Sequence, residues 1–301
     1  MIKKMFLNQE ESRLRAGWRI IIFIFFYLAL SRILNEASFK VIGRLDRTTW
    51  SWWVVRGFLV IITSTFVVWI VRKHFDRKSF ISLGLRLESI AVKDFIVGLG
   101  ISALMIGMLF VVFLVFGFLE IKEIGWSSGG ISPVIGILFW FFGIGLAVGW
   151  SEELAFRGYL LQNMKDGMGI WWAVLLSCML YGLLHMSNPN SSILSGVLIA
   201  IIGFVRIFGW LRTGQLWLSI GMHAGWDFFQ GSIFGFTVSG MKTESLIKHT
   251  TSGASWITGG SFGPEAGILV IPVVILGLII MYVWTGKREN TPWKEKKGEV
   301  K

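Results

Sequence analysis

Long apolar runs separated by short polar stretches dominate the chain. A helix needs about 20 mostly apolar residues to cross the hydrocarbon of a bilayer. Eight segments approach that length, at roughly 17–34, 52–71, 95–118, 137–163, 169–187, 193–211, 215–232 and 266–285. The pattern predicts an all-α polytopic membrane protein, a bundle of about eight transmembrane helices. Arg19, Arg32 and Arg56 sit in or at the edges of the first two segments, where a long basic side chain can snorkel to the interface. The opening residues have the charge order of a signal peptide but are followed by no small-residue cleavage site, so they are predicted to stay as a first helix. The polar, Gly/Ser/Thr-rich stretch 233–264 is predicted to be an external loop or a re-entrant cover. With no repeat and no Pro-rich linker, the chain divides into N-terminal helices and a basic loop (1–94), a core (95–285) and a basic tail (286–301).

Composition agrees with the pattern. The chain is 54% hydrophobic and 16% charged, with a mean hydropathy of +0.66, whereas a soluble domain carries about a quarter charged residues. Many of the 16 Trp flank the apolar runs, where an amphipathic ring suits the lipid–water boundary. The net charge of +11 would raise nucleic acid as a partner in a soluble chain. No nucleic-acid motif is present, and the basic residues cluster in short loops and at both ends, as the positive-inside rule explains. In an eight-span arrangement the N-terminal tail to Arg19, the loop 72–94, Arg157, Lys165, Arg206, Arg212 and the C-terminal tail fall on one side. Lys40, Arg44, Arg47, Lys122, Lys242 and Lys248 fall on the other. That bias predicts a cell-membrane protein with both termini in the cytoplasm. Cys178 is the only cysteine, so neither an intrachain disulfide nor a cysteine metal cluster can form. Small residues four apart, Gly145/Gly149, Gly196/Ala200 and Gly221/Gly225, let helix backbones approach closely in lipid.

Ionisable residues inside apolar segments cost about 3 kcal/mol or more and call for a reason. The fourth segment holds Glu152, Glu153 and Arg157, the fifth Tyr181 and His185, and the seventh His223 and Asp227. Adjacent glutamates point about 100° apart on a helix. Glu153 precedes Arg157 by four residues, the favourable order for an ion pair. Glu152 is left on another face, where a lone carboxylate suits a general base. His223 and Asp227 share a face, so the carboxylate can orient the imidazole. Folding segments four and five about Gly167 places Glu152 and His185 at roughly 22 and 27 Å from the turn, and His223 enters at a shallower depth by the same reckoning. Two imidazoles and a carboxylate around a wet pocket polarise a water either directly or through a metal such as zinc, held by Glu152, His185 and His223. His74 and His249 fall in loops and are read as surface residues. Glu265, after Pro264, is read as the start of the eighth helix.

At these residues the sequence resembles the CPBP (Abi) family of intramembrane proteases, which includes the type II CAAX prenyl endopeptidases. The carriers are Glu152-Glu153-xxx-Arg157, Tyr181-xxx-His185 and His223-xxx-Asp227, in order on successive apolar segments, with Ser261-Phe262-Gly263-Pro264-Glu265-Ala266-Gly267 similar to bacterial members. Motif coverage runs from about 133 to 267. The resemblance implies an eight-helix fold and hydrolysis of a peptide bond in or next to the bilayer. It implies that Glu152 and His185 activate water without a metal cofactor, that His223 and the polar residue at 227 support the oxyanion, and that Glu153 and Arg157 position the site. Tyr181 stands where the family has Phe, and Asp227 where Asn is more usual. An ionised Asp accepts hydrogen bonds only, so it would have to be protonated to donate. The expected partners are the lipid bilayer and a peptide or membrane-protein substrate, with no nucleic acid. A non-catalytic membrane immunity or peptide-binding protein of the same fold is the alternative. A proton-coupled carrier ranks last, because no inverted repeat is visible.

Overall fold

The computed structural model describes residues 6–8, 13–46, 49–125, 133–286 and 288 of the chain. Most of the basic tail predicted at 286–301, the stretches 1–5 and 9–12, and Arg47 lie outside the described residues. In chain order the main helices are α1 (Ala16–Ile42), α2 (Trp50–His74), α3 (Ser89–Val115), α4 (Ile135–Met168), α5 (Ile170–His185), α6 (Ile193–Thr213), α7 (Trp217–Asp227) and α8 (Val270–Thr285). Only α1, α2, α3, α4 and α6 are long and apolar enough to cross a membrane. The chain is therefore a largely helical multi-pass membrane protein with five such helices among the described residues, not the eight expected.

The overcount has a physical origin. Helices α5 and α8 are equally apolar but only 16 residues long, short of the hydrocarbon thickness. Helix α7 has 11 residues, and every one from Leu218 to Asp227 is buried. Its apolarity serves burial in protein, and hydropathy alone cannot separate a core helix from a lipid-facing one. The fold is also not purely α. Strand β1 (Leu119–Ile124) pairs antiparallel with β2 (Ile247–Thr251), Leu119 opposite Thr251 and Ile124 opposite Ile247, with an irregularity between Ile121 and Glu123. Part of the stretch 233–264 is thus a strand. His249 lies on β2 with its ring 4.8 Å from that of Phe236 and 6.2 Å from that of Phe110, so it is packed and not a plain surface residue.

Local chemistry sets the helix ends. Thr49 caps α2 by accepting from the Trp52 N–H, and Arg72, Lys73 and His74 occupy its last turn, where cations suit the helix dipole. Ser192 and Ser195 form a reciprocal capping box at the start of α6, and Gly214 ends it in a left-handed conformation.

Helix α7 runs through the centre. A Cβ on Gly221 would lie 2.1 Å from the Phe95 carbonyl oxygen, and one on Gly98 2.5 Å from that of Leu218, so α3 and α7 touch backbone to backbone. Away from this core, Asp76 ties α1, α2 and α4 together. It accepts hydrogen bonds from Arg19 (3.1 Å), Arg72 (2.8 Å), the Tyr159 hydroxyl (3.3 Å) and Asn163 (3.3 Å). Beyond this anchor α1 buries only Phe23.

Candidate active site

Two glycines bring the chemistry together. A Cβ on Gly145 would meet the Ala224 carbonyl oxygen at 2.8 Å, and one on Gly149 the Ala224 nitrogen at 2.8 Å. Helix α4 therefore lies against the turn of α7 that carries His223, as close approach of small residues permits. Past Glu152, α4 widens into a π-helical stretch at Glu153–Leu160, and α7 passes into another at Phe228–Ile233. Such stretches are rare and frequent at functional sites.

Glu153 and Arg157 are both fully buried and form an ion pair at 3.2 Å. The same oxygen, Glu153 Oε1, lies 2.8 Å from His223 Nδ1. A carboxylate accepts, so Nδ1 carries the proton and Nε2 presents its lone pair. Nε2 is 3.8 Å from Glu152 Oε2 and 3.6 Å from Asp227 Oδ2. The carboxylate that orients the imidazole through a close hydrogen bond is thus Glu153, on another helix, while Asp227 stands at the opposite nitrogen. Arg157 also donates to the Gly203 carbonyl on α6 at 3.2 Å and stacks 4.3 Å from the Tyr181 ring centroid.

The Tyr181 hydroxyl donates to Glu152 Oε2 at 2.8 Å and receives a hydrogen bond from Arg206. His185 Nδ1 donates to the Tyr181 carbonyl at 2.8 Å, which leaves its Nε2 as the acceptor. Glu152, His185, His223, Asp227, Arg206 and Glu265 all line one cavity of about 220 Å³. The Glu152 side chain keeps 30% of its surface open, while Glu153 and Arg157 sit behind the wall. His223 reaches Glu152 from α7, which begins at Trp217 just after the Leu216 N–H bonds the Gly84 carbonyl at 2.8 Å.

Residues 134–229 match the family model of the type II CAAX prenyl endopeptidase Rce1-like proteins. The similarity is one of family level and spans that segment. A stretch of 83 residues is also 34% identical to the uncharacterized protein YyaK of Bacillus subtilis (strain 168), covering 26% of this chain and 28% of that relative's length. The chain thus aligns with little more than a quarter of this curated relative.

The Rce1-like segment holds Glu152, Glu153, Arg157, His185, His223 and Asp227, and the structure brings them into one buried cluster of His and Glu with their partners. Three further residues belong to it. The charge count sets Arg206 with the basic residues of one side, yet it is only 4% exposed; a lone arginine inside the apolar run of α6 is the signal the sequence offers. Arg157 likewise is no loop cation. Tyr181 reads as a mild replacement for Phe, but its hydroxyl joins Glu152 to Arg206. Glu265, outside the Rce1-like segment, is 1% exposed and accepts from the Ser239 N–H at 2.6 Å and from Gln230. Burial raises its carboxyl to about 7 against the pull of those donors.

The set Glu152, His185 and His223 does not fit a metal in this arrangement. Among the described residues no three such side chains are gathered to hold an ion.

Proposed function

We propose that this protein is an intramembrane endopeptidase that hydrolyses a peptide bond in or next to the bilayer. The observation that carries the reading is the Glu152–His223 approach at 3.8 Å across a cavity that also holds His185. A water between Glu152 and His185 gives its proton to the Glu152 carboxylate as its oxygen attacks the scissile carbonyl carbon, and the C=O electron pair moves onto oxygen. The proton passes to the lone pair on His223 Nε2. Glu153 behind Nδ1, and Asp227 beside Nε2, stabilise the resulting imidazolium, which then donates to the oxyanion. Collapse of the tetrahedral intermediate breaks the C–N bond, and the proton leaves with the amine. Tyr181 and Arg206 hold the Glu152 oxygen in place.

The family-level match supports this chemistry, as does the cost of keeping such groups in apolar surroundings without a use. The basic ends and the basic loop 72–94 support cytoplasmic termini, which reporter fusions at either end would test. For the reaction itself, membrane peptides are compared between cells carrying the intact protein and cells carrying Glu152→Gln at equal membrane levels. A peptide cleaved only with Glu152 present is the expected result. Equal turnover by the variant would sink the mechanism, whereas full biological activity retained after replacement of Glu152 and His185 together would favour a non-catalytic binding protein of the same fold.

A further inference from the structure

Helix α6 carries one arginine deep in its apolar run. Arg206 is buried and lines the catalytic cavity. A guanidinium stays charged in proteins and has five N–H donors, so burying one calls for an anion. Arg157, also buried, has that anion in Glu153 at 3.2 Å. Arg206 does not. Among the described residues its side chain donates through Nη1 to the neutral Tyr181 hydroxyl and makes no ion pair with a carboxylate. Its Nε and Nη2 are not among the nitrogens sealed off without a partner, so they reach the cavity.

Backbone contacts fix where that edge lies. The Ser219 hydroxyl on α7 donates to the Arg206 carbonyl at 2.7 Å. A Cβ on Gly209 would meet the same hydroxyl at 2.8 Å, so α6 is pressed against α7 at this level. Ser219 and His223 are four residues apart on α7 and share a face. The backbone of Arg206 is therefore docked one helical turn from His223. Through Tyr181 its guanidinium stands two hydrogen bonds from Glu152 Oε2. Hydrolysis would make an anion in this space. As water adds to the scissile carbonyl, the C=O electron pair moves onto oxygen, and His223 supplies one donor to it. Asp227, when ionised, only accepts. An oxyanion is stabilised by more than one preorganised donor, and Arg206 has donors to give.

We propose that Arg206 is a further catalytic residue: its cavity-facing N–H edge hydrogen-bonds the scissile carbonyl oxygen as that oxygen becomes an oxyanion, beside the donor from His223. The guanidinium gives up no proton. When the intermediate collapses, the oxygen pair re-forms C=O, the C–N bond breaks, and the amine takes the proton held by His223. The proposal rests on the endopeptidase reading of the cavity. It gives Arg206 a contact with the reacting atoms in addition to its hold on Glu152 through Tyr181.

The test uses full-length Glu152→Gln protein in phosphatidylcholine nanodiscs, where an uncharged amide stands in for the protonated base. Two palmitoylated, fluorescent octapeptides are compared. One carries a central phosphinate, an uncleavable tetrahedral anion, and the other a neutral hydroxyethylene group in its place. The phosphinate should bind about 10–100-fold more tightly, as expected for hydrogen bonds to a charged group. Arg206→Gln should remove most of that preference. Should Arg206→Gln fail to fold, Arg206→Lys keeps the buried charge and should lower the preference, since an ammonium lacks the planar fork. Tyr181→Phe should leave the preference in place, because the contact does not run through the phenol. A phosphinate that binds no better than its neutral counterpart, or that keeps its full preference without Arg206, would overturn the proposal. Loss of the preference in Tyr181→Phe would also overturn it, and would confine Arg206 to positioning Glu152. Peptide cleavage by the protein with Glu152 intact, without an anion preference, defeats the role of Arg206 alone. An Arg206-dependent preference without any cleavage leaves an anion site and defeats the hydrolase reading.

Discussion

The Tyr181 hydroxyl stands between Arg206 and Glu152, receiving from the first and donating to Glu152 Oε2 at 2.8 Å. One phenol thereby couples a cation on α6 to the carboxylate that the proposed mechanism uses as base. Tyr181→Phe should lower kcat by about 10–100-fold, the kinetic equivalent of one hydrogen bond to a charged group. KM should change little, since Tyr181 positions Glu152 and is not required to grip the peptide. A loss confined to KM would show that the hydroxyl does not serve the chemical step.

Arg157 and Glu153 are both 0% exposed. Removing one member of such a pair strands the other charge, at about 3–5 kcal/mol. Arg157→Ala should therefore lower the melting temperature in detergent sharply and cost activity as well. Arg157→Lys should recover only part of the loss, because an ammonium cannot reproduce both the bond to Gly203 O and the stack on Tyr181. Thermal unfolding followed by tryptophan fluorescence reads both variants.

Gly149→Ala forces a Cβ to within 2.8 Å of the Ala224 backbone, next to His223. Overpacking of this kind costs about 1–3 kcal/mol, and it pushes α7 away from Glu152, so turnover should fall. Gly100→Ala is the control: nothing lies within 4 Å of its Cβ. It should leave activity unchanged. Equal effects from the two would argue against the α4–α7 contact as the element that sets the site.

Glu265 is raised to about 7 by burial. The folded protein holds this proton between the ordinary carboxylate range and about pH 7, whereas the unfolded chain releases it there. Its contribution to stability should thus decline as pH rises across that window and level off above it. Glu265→Gln should flatten the decline in melting temperature between pH 5 and 7, roughly the span between the two values. A slope unchanged by the substitution would assign the pH dependence elsewhere.

Much of the chemistry was legible in the linear chain because charge inside an apolar run is costly enough to mark itself. Glu152, Glu153, Arg157, His185, His223 and Asp227 all stand out on that ground, and helical spacing pairs Glu153 with Arg157, which lie 3.2 Å apart in the structure. The same rule points to Arg206, which a count of loop charges conceals. The number of spans was not legible. Apolarity records removal from water, and lipid and protein remove it equally, so α7 reads like a span although it is a short core helix.

Partners across helices were decided in three dimensions. Helical periodicity relates a residue to positions three and four away, and on that basis Asp227 is the natural partner of His223. Close packing of Gly145 and Gly149 on Ala224 instead delivers Glu153 to His223 Nδ1, at 2.8 Å. The link from Tyr181 to Glu152 and the place of Glu265 on the cavity wall arise in the same way. Residue type and spacing establish which groups must be sheltered from lipid, because that cost is local. Which of them meet is set by backbone contacts between helices far apart in the chain, and no local pattern encodes those.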